Sequence, residues 1–117
     1  MSKDRQARLA QCLEQILKTL IGEYHPEKVI LFGSMAGGIV QEWSDLDLAI
    51  IKETSLPFLQ RLKEVALLCR APVGVDYLVY TPEEFAQMVQ SKNPFILEEV
   101  VRKGKVLYEQ RPVAAVA

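Results

Sequence analysis

With 117 residues, half of them hydrophobic, a quarter charged and a net charge of −1, the chain has the composition of one soluble globular domain. That balance does not supply the basic surface with which a protein tracks a nucleic-acid backbone. No apolar run approaches the roughly 18 residues needed to span a bilayer, and the charged residues 1–5 lead into an amphipathic stretch, not a signal-peptide core. The expectation is a soluble, cytoplasmic protein with no direct nucleic-acid contact and no membrane partner.

Leu9, Leu13, Ile16, Leu17, Leu20 and Ile21 recur at three- and four-residue steps. The spacing predicts an amphipathic helix over 4–22, stopped by Gly22 and the Tyr24-His25-Pro26 turn. Residues 28–32 read as a fully buried strand. Ser34 can cap a short helix to about residue 42, although Gly37 and Gly38 weaken it by roughly 1 kcal/mol each. Trp43-Ser44 then turns the chain into a second strand over 45–51. Ser55 and Pro57 open a second amphipathic helix, with Phe58, Leu59, Leu62, Val65, Ala66 and Cys69 as its inner face and Arg70-Ala71-Pro72 as its end. Residues 73–80 read as a third strand with Asp76 in its middle.

Thr81-Pro82-Glu83-Glu84 is a capping box with proline at the first helical position, opening a helix to about residue 90. Asn93-Pro94 starts another over 94–103, closed by Gly104. Residues 105–108 can add a short final strand. Strands alternating with helices indicate an α/β or α+β fold, a small sheet with helices packed on it, whose strand order the sequence leaves open. One domain over 1–110 is expected, with 111–117 as a frayed tail. Cys12 and Cys69, in helical segments among apolar residues, read as reduced core thiols.

The chemistry concentrates in Gly33-Ser34, ten intervening residues, then Asp45-Leu46-Asp47, with apolar runs on both sides. Alternation along a strand points Asp45 and Asp47 the same way, roughly 6.6 Å apart at about 3.3 Å per residue. Two like charges beside buried strands are costly unless something positive joins them. A hard divalent cation, most simply Mg²⁺, fits, and it usually brings nucleotide phosphates. The bland alternative, two solvated loop aspartates, is disfavoured by the Gly-Ser turn at this spacing. Asp76, flanked by Val73, Val75, Leu78 and Val79, is either a structural partner within the sheet or a third carboxylate converging on the pair. In the second case the three would form a two-metal phosphoryl-transfer site. The glycines do not make Gly-x-Gly-x-x-Gly or a P-loop. The lone His25 cannot build a zinc site with two distant cysteines. Ser34 has no histidine partner to activate it.

These residues resemble the minimal nucleotidyltransferases of the DNA polymerase β superfamily, and the resemblance covers roughly residues 8–109. The opening strand through Phe32-Gly33-Ser34 is similar to the family's, as are Asn93-Pro94-Phe95-Ile96 and Gly104-Lys105-Val106-Leu107-Tyr108-Glu109 at the closing helix and strand. The resemblance implies a palm-like nucleotidyltransferase fold. Gly33 and Ser34 would hold the triphosphate of ATP. Asp45, Asp47 and Asp76 would ligate two Mg²⁺ ions, with Asp76 also helping to deprotonate the acceptor hydroxyl. One departure stands out. Family members commonly carry arginines where this chain has Met35 and Gly37, which implies weaker nucleotide binding unless Lys52 or Lys28 compensates.

The chain has no residues left for an acceptor-binding domain, so a second macromolecule or a second copy in a homo-oligomer would bring the acceptor. Stand-alone relatives of this size commonly act as antitoxins paired with a helical HEPN ribonuclease toxin, moving AMP from ATP to a toxin tyrosine. That is the function the resemblance implies. Two others remain open: a non-catalytic toxin-binding or nucleotide-sensing module, and a transferase acting on an aminoglycoside-like small molecule.

Overall fold

The computed structural model describes residues 2–37 and 46–110. Asp45, the later part of the expected short helix over 34–42, and residues 111–117 lie outside the described residues.

Helix α1 (Ser2–Thr19) runs directly into a π-wound turn (Leu20–Tyr24). Leu9, Ile16 and Leu20 are buried along one face, with Cys12, Leu13 and Leu17 partly covered beside them. The helix passes through Gly22 instead of stopping there. Its end comes at His25, whose left-handed backbone (φ 58°) lets its N–H donate to the Leu20 carbonyl at 2.8 Å. Pro26, buried and lacking an N–H, cannot continue the winding.

Four strands form one mixed sheet in the order β3-β2-β1-β4: β1 (Lys28–Phe32), β2 (Leu46–Ile51), β3 (Val75–Tyr80) and β4 (Lys105–Glu109). The central β1 is antiparallel to both β2 and β4, while β2 and β3 are parallel across the connecting helix α2 (Phe58–Cys69). Central position explains the unbroken apolar runs of β1 and β2, because both of their faces are covered. On one face Val29, Leu31, Leu48 and Ile50 meet Leu9, Ile16 and Leu20 of the first helix and Val65 of α2. On the other, Ile30, Phe32 and Ala49 meet Ile96 and Val100 of the π-wound helix α4 (Ile96–Arg102). Phe85, Met88 and Val89 of α3 (Pro82–Gln90) pack beside them. Each fully buried aliphatic side chain contributes about 1.5–3 kcal/mol.

Two expectations need correction. The third strand is an edge strand that begins at Val75, and Asp76 near its start is exposed, not embedded among valines. The inner face of α2 is also different: Leu59 is 76% exposed and Ala66 is exposed, while Arg61 is only 6% exposed. Arg61 lies one turn before the buried Val65 and so shares its face. Its Nε donates to the Leu56 carbonyl at 2.8 Å and its Nη1 to the Val79 carbonyl at 3.1 Å. The guanidinium then grips Glu84 with two bonds, 2.7 and 3.2 Å. Glu84 is simultaneously the closing residue of the Thr81 capping box. One buried cation thus ties α2, β3 and α3 together.

Candidate functional site

The site lies where β1 gives way to the Gly33-Ser34 turn. Antiparallel pairing sets Asp47 of β2 opposite Phe32, and parallel pairing sets it opposite Asp76 of β3. The two aspartates therefore occupy the same face of adjacent strands, which lie about 4.8 Å apart. Asp47 is half-buried and Asp76 exposed. Both line an open groove of about 540 Å³ with Phe32, Leu78 and Phe95 among its walls. Phe95 stands edge-on to Phe32, with ring centroids 5.7 Å apart and planes at 88°.

Gly33 takes a left-handed conformation, φ 78°, and its α carbon faces the Asp47 carboxylate. A side chain there would be strained by the backbone and driven into Asp47, so only glycine fits. Beyond it, Ser34 is exposed within a turn closed by Gly37 N–H donating to the Gly33 carbonyl at 3.3 Å. A second hollow of about 420 Å³ is lined by Gly33, Ser34, Gly37, Glu99 and Lys103. Hollows of similar size lie elsewhere, such as one of about 430 Å³ at Phe58, Tyr80 and Glu84, but that one holds no paired aspartates.

Of the residues singled out in the sequence, the fold brings Gly33, Ser34, Asp47 and Asp76 to one end of the sheet. Asp45 lies outside the described residues. No group of three His, Cys, Asp or Glu side chains converges among the described residues. The pair that is present consists of hard carboxylate oxygens on one sheet face beside an open groove. That donor chemistry suits Mg²⁺ and not a soft-ligand metal.

The lysines suggested as substitutes for the expected arginines lie elsewhere. Lys28 opens β1, at its opposite end, and pairs with Glu109 at 3.5 Å. Lys52 donates to the Tyr24 carbonyl and sits 4.8 Å above the Tyr24 ring. Met35 packs against the apolar cluster on the α1/α2 side of the sheet and is not among the residues lining the hollow. No local pattern marks Phe95, Glu99 or Lys103 as neighbours of the turn, because helix spacing alone does not show which end of β1 faces α4.

Residues 14–112 match the family described as polymerase beta, nucleotidyltransferase. The chain belongs to this nucleotidyltransferase family. It is 37% identical over 89 residues to a Haemophilus influenzae protein named probable protein adenylyltransferase MntA, covering 72% of this chain and 78% of that one. Among solved structures, its fold is similar to a Sulfolobus solfataricus protein assigned as a nucleotidyltransferase, with a TM-score of 0.64 at 20% identity over 93% of this chain and 87% of that one. It also resembles a mutant of the toxin–antitoxin MntA–HpeT, with a TM-score of 0.53 at 22% identity over 84% and 72% of the two chains. A toxin–antitoxin structure with AMP-PNP matches at a TM-score of 0.50 and 19% identity, over 84% and 73%. Among the described residues, no helix is long and apolar enough to cross a membrane.

Proposed function

We propose that this nucleotidyltransferase moves AMP from ATP to a hydroxyl of a protein partner, the tyrosine of a HEPN-type toxin, and so acts as an antitoxin. The observation that carries the proposal is the facing register of Asp47 and Asp76 beside a glycine that admits no side chain. The adenylyltransferase name of the 37%-identical relative supports the choice of nucleotide and of a protein acceptor. The fold shared with toxin–antitoxin structures, one of them with AMP-PNP, fits the same partner class.

In this proposal the amides of the Gly33 turn and the Ser34 hydroxyl donate to the triphosphate. Asp47 and Asp76 would hold Mg²⁺, with Asp45 joining them on its sequence spacing alone. The metal, when bound, supplies positive charge to the phosphates and to the leaving pyrophosphate. The acceptor oxygen forms a bond to the α-phosphorus as the α–β phosphoanhydride bond breaks, and the hydroxyl proton passes to the Asp76 carboxylate. Exposure of Asp76 on an edge strand leaves room for a macromolecular acceptor.

The test is incubation of the chain with labelled ATP, Mg²⁺ and a HEPN-type toxin, followed by intact mass of both. Addition of AMP to the partner by wild type and not by Asp47→Asn is the expected result. Tight binding of the partner with no mass change in the presence of ATP would replace transfer by masking through contact.

A further inference from the structure

The Gly33-Ser34 turn carries no cation of its own: residues 33–37 are Gly, Ser, Met, Ala and Gly. Amides and one hydroxyl leave most of a triphosphate's charge unanswered, so a cationic side chain near the turn would add to what Mg²⁺ supplies. The hollow beside the turn has one cation in its lining among the described residues, Lys103, at the end of α4. On the same wall, one helical turn earlier, stands Glu99.

Lys103 Nζ lies 3.3 Å from Glu99 Oε2 and 3.9 Å from Glu98 Oε1. A committed charge-assisted bond is shorter, about 2.7–2.9 Å. The side chain is 58% exposed, so the pair is screened and its loss costs little. Lys103 is thus a loosely held ammonium on the wall facing Ser34, with a carboxylate beside it that would repel any anion entering the hollow. We propose that Lys103 leaves Glu99 to bind the terminal phosphates of the nucleotide over the Gly33-Ser34 turn, and that Glu99 is the counter-ion that opposes this binding. The inference rests on the nucleotidyl-transfer proposal and adds to it a phosphate-binding residue and a tuning residue.

The two substitutions should act in opposite directions. Lys103→Gln should weaken binding of Mg²⁺-ATP and of inorganic tripolyphosphate by roughly five- to tenfold, because it removes one charged contact at a partly exposed site. It should also flatten the salt dependence. Glu99→Gln should tighten both ligands about two- to threefold, by removing a nearby like charge. Adenosine binding should stay constant in both variants, since neither residue has charge to compensate on it. Lys28→Gln, at the far end of β1, should match wild type. Calorimetric titration of the full chain at two salt concentrations reads all of these. If wild type binds Mg²⁺-ATP and Lys103→Gln binds it equally well, this inference is overturned and the transfer proposal stands. If wild type binds neither Mg²⁺-ATP nor tripolyphosphate, both fall. A parallel loss of adenosine, tripolyphosphate and melting temperature in Lys103→Gln would mark a structural residue and likewise overturn the inference.

Discussion

The carboxylate of Asp47 rests against the α carbon of Gly33, so that a Cβ on Gly33 would lie 2.9 Å from Asp47 Cγ and nearer still to Oδ2. The turn that would hold phosphate and the acid that would hold metal are therefore set by one contact. Neither can shift without the other.

Gly33→Ala should for that reason disturb both. The left-handed backbone alone costs a non-glycine residue about 1–2 kcal/mol, and the methyl must displace Asp47. A lower melting temperature together with loss of nucleotide binding is expected. Gly37→Ala is the control, because among the described residues a Cβ there would meet only the Ser34 carbonyl, at 3.7 Å. It should be neutral or stabilising by about 0.4–1 kcal/mol. Thermal melts and ATP titrations on the two variants would separate a specific contact from a general intolerance of the loop.

Asp47→Asn and Asp76→Ala should leave the fold intact and lower transfer by on the order of 10²-fold or more, comparable to loss of one transition-state donor. The exposure of Asp76 sharpens its case. An exposed edge-strand carboxylate has little to lose on truncation, so stability should change by less than about 0.5 kcal/mol. Single-turnover transfer assays beside chemical denaturation check this. A large stability loss with unchanged transfer would return Asp76 to a purely structural role.

The order of elements was legible because the apolar periodicity, the Thr81 capping box and the turn residues all agreed. Misreadings have physical causes. Gly22 weakens a helix but does not end one when the following turn widens to a π winding closed by His25. Arg61 looks like a solvated charge in sequence, yet its face is fixed by Val65 one turn later, and its charge is answered by Glu84, 23 residues away. Asp76 looked buried because its neighbours are valines, but alternation on an edge strand covers one face and leaves the other open. The Gly33, Ser34 and Asp47 cluster was readable because the contacts follow from a motif. Lys103 and Phe95 reach the site through tertiary packing of α4, which no local pattern encodes.

The Arg61–Glu84 pair gives the fold a pH dependence. Hydrogen bonds from the Arg61 guanidinium, then the Thr81 backbone N–H, hold the Glu84 carboxyl below its ordinary 4.5, and burial only partly opposes them. A carboxyl with a lowered folded pKa contributes stability above its unfolded value, and that contribution is lost as pH falls through the folded value. Glu84→Gln should therefore destabilise the protein by about 1–2 kcal/mol near neutral pH, discounted for the partial exposure of Glu84. Below 4.5 the gap to wild type should shrink. Denaturation midpoints of both proteins at about pH 7 and about pH 3.5 would show it. A constant gap would mean that the pair contributes through packing and not through charge.

The family resemblance leads one to expect arginine at positions 35 and 37, where this chain has Met35 and Gly37. Met35 and Gly37 look equivalent in the sequence, but the fold separates them. Met35 is half-buried against the apolar cluster around α1 and α2, whereas Gly37 is exposed and lines the hollow shared with Ser34 and Lys103. Met35→Arg would push a cation toward apolar packing, at a cost of about 1–3 kcal/mol, and should lower the melting temperature with no gain in ATP affinity. Gly37 has no positive φ, and among the described residues a Cβ there would make an ordinary contact with the Ser34 carbonyl at 3.7 Å, so arginine fits there without backbone strain. Gly37→Arg should tighten ATP by about 1–1.5 kcal/mol once ordering of the side chain is subtracted. The gain is electrostatic at an exposed position and should shrink as salt is raised. ATP titrations of both variants at two salt concentrations, with melts alongside, decide the matter. Tighter binding by Met35→Arg and none by Gly37→Arg would mean that the triphosphate approaches the turn from the opposite side to Lys103.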